Sequence, residues 1–340
     1  MGVAIRQSIL TSIISYGGVV IGYINLLYLY PKFLEPEQIG LLRSIQDAAM
    51  LCTPFAVFGL GQAIIRYYPY FAVSRKQAGS FLNLVFVMGL ITYGIFVILF
   101  LSFKTHIISF FDQHADSLIN YFPLILWLTF VLLATTLLEQ FYRSLLKIAV
   151  AAFVREIVVR TLQGVLVSLY FLQVVSFDQF LIASVLIFVV ALMILAIYLL
   201  MQGYLSTGVA YKTPEGISLK EILTFSSLSF IGTSAMILIG KIDSVMVSGM
   251  VGLAANAVYT TAFYIATVIE IPKRAITITA SPLLARAFEK KDIKEIVNVY
   301  RKTSINQFIT GPLLLIGVWA NIFSIFRLIP NGEIYQSGMD

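Results

Sequence analysis

Four charged residues fall inside apolar stretches: Arg43 and Asp47, four positions apart, and Lys241 and Asp243, two apart. A spacing of four puts two side chains on one helical face, so Arg43 and Asp47 are placed to pair with each other. A spacing of two points Lys241 and Asp243 apart, so one of them needs another partner, a cavity or a substrate. Charge within a membrane segment is costly and marks a functional site by default. Two cations, Arg43 and Lys241, facing one aqueous cavity would hold a phosphorylated head group. Tyr23, Tyr28, Tyr259, Tyr264, Thr260 and Thr261 would then meet sugar hydroxyls.

Other chemistry finds little support. Gly240-Lys241 resembles the end of a phosphate loop, but Ile242 stands where Ser or Thr is required and Ala235 where the first glycine belongs. No nucleophile is set beside a base, so no enzyme is expected. The outer loop 103–118 carries His106, Asp112, His114 and Asp116, a loose spacing that matches no ligand pattern, so it reads as solvated. Cys52 is the single cysteine and lies in an apolar run, which excludes a disulfide framework or a cysteine zinc site. No metal or cofactor is expected.

The elements that must position these residues are membrane helices. Of 340 residues, 59% are hydrophobic and 12% charged, too little polar surface to cover a water-soluble globule of this size. Nine apolar runs are long enough to cross a bilayer: 8–30, 39–60, 81–102, 119–140, 152–173, 179–202, 223–248, 253–271 and 303–325. In lipid each run must satisfy its own backbone, which predicts an all-α integral membrane protein. Arg6 precedes the first run, but no small-residue cleavage site appears before Pro31, so that run is read as a retained span.

Orientation follows from the basic residues. With a cytoplasmic N-terminus, 18 of the 23 Lys and Arg fall on inner segments and only Lys32, Lys104 and Arg327 outside. The net charge of +6 is thus a topology signal; no basic soluble face offers itself to nucleic acid. Glu139 with Arg143, Arg155 with Glu156 and Arg160, and Glu270 with Lys273 and Arg274 fall near inner ends. Snorkelling and local pairing account for these. The segment 289–302 reads as an interfacial helix with lysines around Ile293, Ile296, Val297 and Tyr300.

Shifting the chain by 218 residues aligns Ser8 with Ser226, Thr11 with Ser229, Ser15 with Thr233, Gly22 with Gly240, Asn25 with Asp243 and Pro54 with Pro272. The first four pairs share one helical face. The offset spans six helices, so both copies point the same way, as in transporters whose substrate path lies between related lobes. The longest polar interruption, 203–222, supplies the seam. There Ser218 and Glu221 form a capping box, with Ile217 and Ile222 as its staple, and start a new helix. The division expected is an N-lobe over 1–202, a cytoplasmic linker and helix start over 203–222, and a partial second lobe over 223–340.

Two stretches carry a resemblance. FLEPEQIGLLRSIQDAAMLCTPFAVFGLGQAIIRYYPYF and KIDSVMVSGMVGLAANAVYTTAFYIATVIEIPKRAITITASPLLARAF resemble bacterial polysaccharide biosynthesis flippases, the Wzx-type transporters of lipid-linked O-antigen or capsule repeat units. Their superfamily, MOP, also holds the MATE drug exporters and the lipid II flippases. Asp243, the turn at Gly249 and Gly252, Tyr259 and Pro282 match the loose pattern. The resemblance implies a MATE-like two-lobe helical bundle with parallel six-helix repeats. About nine transmembrane helices would be present here, with the second lobe incomplete through C-terminal truncation. It further implies a flippase of the bacterial inner membrane for undecaprenyl-pyrophosphate-linked oligosaccharide, working among membrane lipids, a polysaccharide polymerase and glycosyltransferases. A cation-coupled small-molecule exporter and a non-transporting scaffold for glycosyltransferases stay open. The candidate substrate-binding set is Tyr23, Asn25, Arg43, Asp47, Lys241, Asp243, Tyr259 and Tyr264.

Overall fold

The computed structural model describes residues 2–111, 116–204 and 217–336, except 271, 274, 275, 278, 279, 281, 282, 285, 286 and 289. Asp112, His114, Pro282, Arg274 and most of the 203–222 linker therefore lie outside the described residues. Among those described, the secondary structure is helical, with no strand.

The first helix, Gly2–Tyr23, runs through a π-helical stretch, Ile24–Leu29, into a last turn, Tyr30–Phe33; this whole run is α1. α2 (Pro36–Val57) starts on a capping box, in which Glu35 accepts from the N3 backbone and Gln38 reaches back, with proline at the first helical position. It ends at Phe58 and Gly59, both left-handed with φ of 48° and 72°. The chain bends there by 46° into α3 (Leu60–Phe71). Gly59 is needed twice over, because a Cβ would also overlap the Ser226 carbonyl oxygen of a helix crossing it.

α4 (Arg75–Ser102) and α5 (Phe122–Ser144) follow. α6 comes in three parts, Ile148–Phe153, a π-helical Val154–Val158 and Val159–Phe171. α7 (Phe177–Met201) starts on a Ser176–Gln179 capping box. α8 (Leu219–Met250) begins where the sequence places a helix start: the Ser218 hydroxyl accepts from the Glu221 N–H at 3.1 Å, and Ile217 and Ile222 are both buried. α9 (Leu253–Thr267) and α10 (Ile293–Ala320) complete the bundle.

Among the described residues, five helices are long and apolar enough to span a bilayer, or seven if the bent pairs Pro36–Val57 with Leu60–Phe71 and Ile293–Ala320 with Ile322–Leu328 each count as one span. Nine were expected. The two others are α6, which carries Arg155, Glu156 and Arg160 within its length, and α9. With 15 residues, α9 is about 22 Å long at 1.5 Å per residue, against a hydrocarbon core of about 30 Å. The interfacial helix expected over 289–302 is likewise not separate: α10 continues from Ile293 to Ala320 without a break. The turn expected at Gly249 and Gly252 is made at Val251 and Gly252, Gly249 being the penultimate residue of α8.

α2 is the hub. It packs against α5 on one side and against α8 and α9 on the other, while α3 meets α5 and α8, and α1 packs along α6. Its two sides are unlike. Leu42, Ile45, Ala49 and Ala56 are apolar and buried, whereas Ser44, Gln46 and Asp47 are buried and polar. Buried polar groups need partners, and those of Ser44 and Asp47 lie on α8 and α9, while Gln46 accepts from Arg43 of its own helix.

Candidate functional site

A cavity of about 340 Å³ lies between α1, α2, α6, α8 and α9. Three cations line it: Arg43 from α2, Arg160 from α6 and Lys241 from α8. Around them stand Tyr23, Asn25 and Tyr30 of α1, Gln163 of α6, and Phe263, Tyr264 and Thr267 of α9. No carboxylate is among these lining residues.

Each cation is held differently. Lys241 Nζ sits 2.6 Å from Asp47 Oδ1, and the Ser244 hydroxyl donates to Asp47 Oδ2 at 2.7 Å. Arg160 pairs with Glu156 at 2.7 Å and donates to the Gly18 carbonyl at 2.5 Å. Arg43 has no carboxylate in ion-pairing reach among the described residues. Its guanidinium lies between the Tyr30 and Tyr264 rings, 5.4 and 5.2 Å from their centroids, and donates to Gln46 Oε1 at 3.3 Å and Tyr264 Oη at 3.4 Å. Two of the three charges are thus neutralised within the protein, and the third is not. Of the three, Arg43 is the cation with no ion pair among the described residues, and so the one most open to an anion.

The π turns help to build this wall. Asn25 lies in the π stretch of α1, where its amide donates to the Arg160 carbonyl at 2.7 Å; the π stretch of α6 ends just before Arg160. An extra residue per turn re-aims side chains, and such bulges collect at functional sites. Tyr23 closes one side of the cavity by donating to the Tyr264 carbonyl at 3.0 Å, with the Thr267 hydroxyl 3.1 Å away.

Several expected placements change. Arg43 and Asp47 do not pair, although they are one turn apart on α2, because Asp47 meets Lys241 across the helix contact. Asp243 is exposed and accepts from Tyr259 Oη at 3.3 Å; it is not among the cavity's lining residues. Tyr259 lies beside Asp47 and Lys241 in a small adjoining void. The Thr260 and Thr261 hydroxyls turn back onto their own helix, to the carbonyls of Asn256 and Ala257. Tyr28 is exposed and accepts from Lys32 at 3.4 Å. Glu139, expected beside Arg143, pairs instead with Arg155 at 2.9 Å. Gly22 and Gly240, matched by the 218-residue offset, both line the cavity, as do Tyr23 and Lys241 beside them.

Sequence reasoning missed Arg160 and Gln163. Arg160 was counted with the inner charges, yet eight residues separate it from the start of the run at 152, and that depth was the available signal.

With this geometry in view, the comparisons with known proteins take their place. A family model for polysaccharide biosynthesis proteins matches residues 5–288. The chain belongs to that family. No curated protein sequence matches this member of the polysaccharide biosynthesis family. Among solved structures it is similar to a multidrug resistance MATE family transporter of the MOP superfamily in an inward-facing conformation. There the TM-score is 0.65 and the identity 16%, covering 98% of this chain and 75% of that one. It is also similar to a MATE protein in a straight conformation (TM-score 0.57, 15% identity, 98% and 76% covered) and in a bent one (0.56, 18%, 99% and 76%). These likenesses show a MATE-like fold for a membrane protein of the polysaccharide biosynthesis family.

Proposed function

We propose that this protein is a flippase that carries undecaprenyl-pyrophosphate-linked oligosaccharide repeat units from the inner to the outer leaflet of the bacterial inner membrane, for surface polysaccharide. The observation that carries the reading is the cavity itself: three cations around one space, with Arg43 left uncompensated. A pyrophosphate presents the oxygens that guanidinium forks and an ammonium bind best. Tyr23, Tyr264, Asn25 and Gln163 offer hydroxyl and amide groups to the first sugars. Arg43, Arg160 and Lys241 are the head-group ligands, while Asp47 and Tyr259 serve Lys241 from behind. The N-terminus is cytoplasmic on this reading, and the division into lobes at 203–222 stands as part of it.

The energetics agree. Each negative charge moved outward across an inside-negative membrane gains about 2.3 kcal/mol per 100 mV. A cation-coupled exporter, favoured by the likeness to a multidrug transporter, would need free carboxylates in the cavity, and Asp47 is committed to Lys241.

Complementation of a strain lacking its own flippase tests the proposal. The double variant Arg43→Ala with Lys241→Ala should abolish surface polysaccharide. Normal export by that variant defeats the cationic-cavity reading. Drug efflux that depends on these residues, with polysaccharide export unaffected, makes the protein an exporter.

A further inference from the structure

At the end of the bundle where α1 and α8 finish, α2 is stitched to α8 and α9 by a chain of short polar contacts. The Ser44 and Ser248 hydroxyls are 2.6 Å apart, and Asn256 Nδ2 donates to Ser44 Oγ at 3.1 Å. One helical turn further along, Ser244 and Lys241 both reach Asp47. Gly40 lets the seam close, since a Cβ there would overlap the Leu253 carbonyl oxygen at the start of α9. Ser44, Asp47, Ser248 and Asn256 are all buried.

A seam of this composition is built to part. Hydroxyl and amide contacts between membrane helices are individually weak, and each group finds water again when the helices separate. The ion pair is the exception, because a buried carboxylate deprived of its partner is strongly destabilising. Its two halves are unequally placed. The Asp47 side chain is 6% exposed, while the Lys241 side chain is 27% exposed and borders the 340 Å³ cavity. An anion in the cavity can reach the ammonium but not the carboxylate.

We infer that Asp47 and Lys241 form an anion-released latch between α2 and α8. This rests on the anion-binding reading of the cavity and assigns its regulation. An anionic head group held by Arg43 and Arg160 draws the Lys241 ammonium toward itself. Asp47 is then left uncompensated inside the seam, and separation of α8 and α9 from α2 rehydrates it. The anion binds the parted state more tightly because only there does it have Lys241 to itself, and that differential affinity moves the equilibrium. Without an anion, Lys241 returns to Asp47 and the end stays shut.

Disulfide trapping tests the latch. Two thiols in place of hydroxyls 2.6 Å apart are within disulfide reach, so Ser44→Cys with Ser248→Cys, in a Cys52→Ser background, reports closure in the full chain reconstituted in vesicles. Saturating inorganic pyrophosphate should slow cross-linking about tenfold, a coupling of ordinary allosteric size. Lys241→Met should cross-link slowly with or without pyrophosphate, and the exchanged pair Asp47→Lys with Lys241→Asp should restore fast cross-linking in its absence. Pyrophosphate binding is read in parallel by calorimetry on the serine form. Binding that leaves the cross-linking rate unchanged overturns the latch while sparing the anion cavity. Absence of binding overturns both. Fast cross-linking in Lys241→Met overturns the latch whatever the ligand does.

Discussion

Arg43 combines two environments that rarely coincide, burial among aromatic rings and, among the described residues, the absence of a carboxylate in pairing reach. A desolvated cation over an aromatic face gains about 2 kcal/mol from it, enough to keep the guanidinium in place but not to replace a counter-ion. A ligand phosphate would add charge-assisted hydrogen bonds of about 1.5–3 kcal/mol each. Arg43→Gln should therefore weaken pyrophosphate binding by about ten- to a hundredfold, measured by calorimetry. Arg160→Gln should cost less, because Arg160 already spends its charge on Glu156. Asp243→Asn provides the contrast. Its carboxylate is exposed, accepts from Tyr259 and is not among the cavity's lining residues, so affinity should change by about twofold or less.

Among the elements, α2 carries the largest share of the packing decisions. One side joins α5 through aliphatic contacts, and the other joins α8 and α9 through serines, Asp47 and a glycine. Membrane helices associate by close approach of small residues rather than by hydrophobic gain, so a methyl group at the tightest point has to displace backbone. Gly40→Ala should lower the thermal unfolding midpoint in detergent, at a cost of about 1–3 kcal/mol for overpacking. Gly94→Ala in α4 meets nothing within 4 Å of its new Cβ. It should leave the midpoint unchanged or raise it, since alanine is favoured over glycine in a helix by about 1 kcal/mol. Equal losses in both variants would deny the α2–α9 contact its tight fit.

For the molecule as a whole, the basic residues set a direction that helical packing alone does not. α4 separates two exposed lysines, Lys76 at its start and Lys104 beyond its end. Cysteines placed there singly, in a Cys52→Ser background, should react oppositely with a membrane-impermeant maleimide. Lys104→Cys should label in intact cells and Lys76→Cys only after permeabilisation. The reverse pattern would invert the bundle and place the Ser44–Ser248 seam at the cytoplasmic end. With the expected orientation that seam closes the outer end.

Composition and pattern were enough to determine a helical membrane protein, most of its spans, the helix start at Ser218 and two cations, Arg43 and Lys241, that line one cavity. These are legible because lipid forces each apolar run to satisfy its own backbone and makes every internal charge conspicuous. Spacing along one helix reports angles around its own axis and nothing about the neighbour it faces. For that reason Arg43 and Asp47 looked like partners, although Asp47 is taken by a lysine 194 residues away. Asp243 looked like a cavity residue although it faces outward, and Arg160 looked peripheral although the π turns of α1 and α6 set it in the cavity wall. Only the packing of α2 against α8 and α9 decided that Asp47 pairs with Lys241 rather than with Arg43, because that choice depends on which helix faces which.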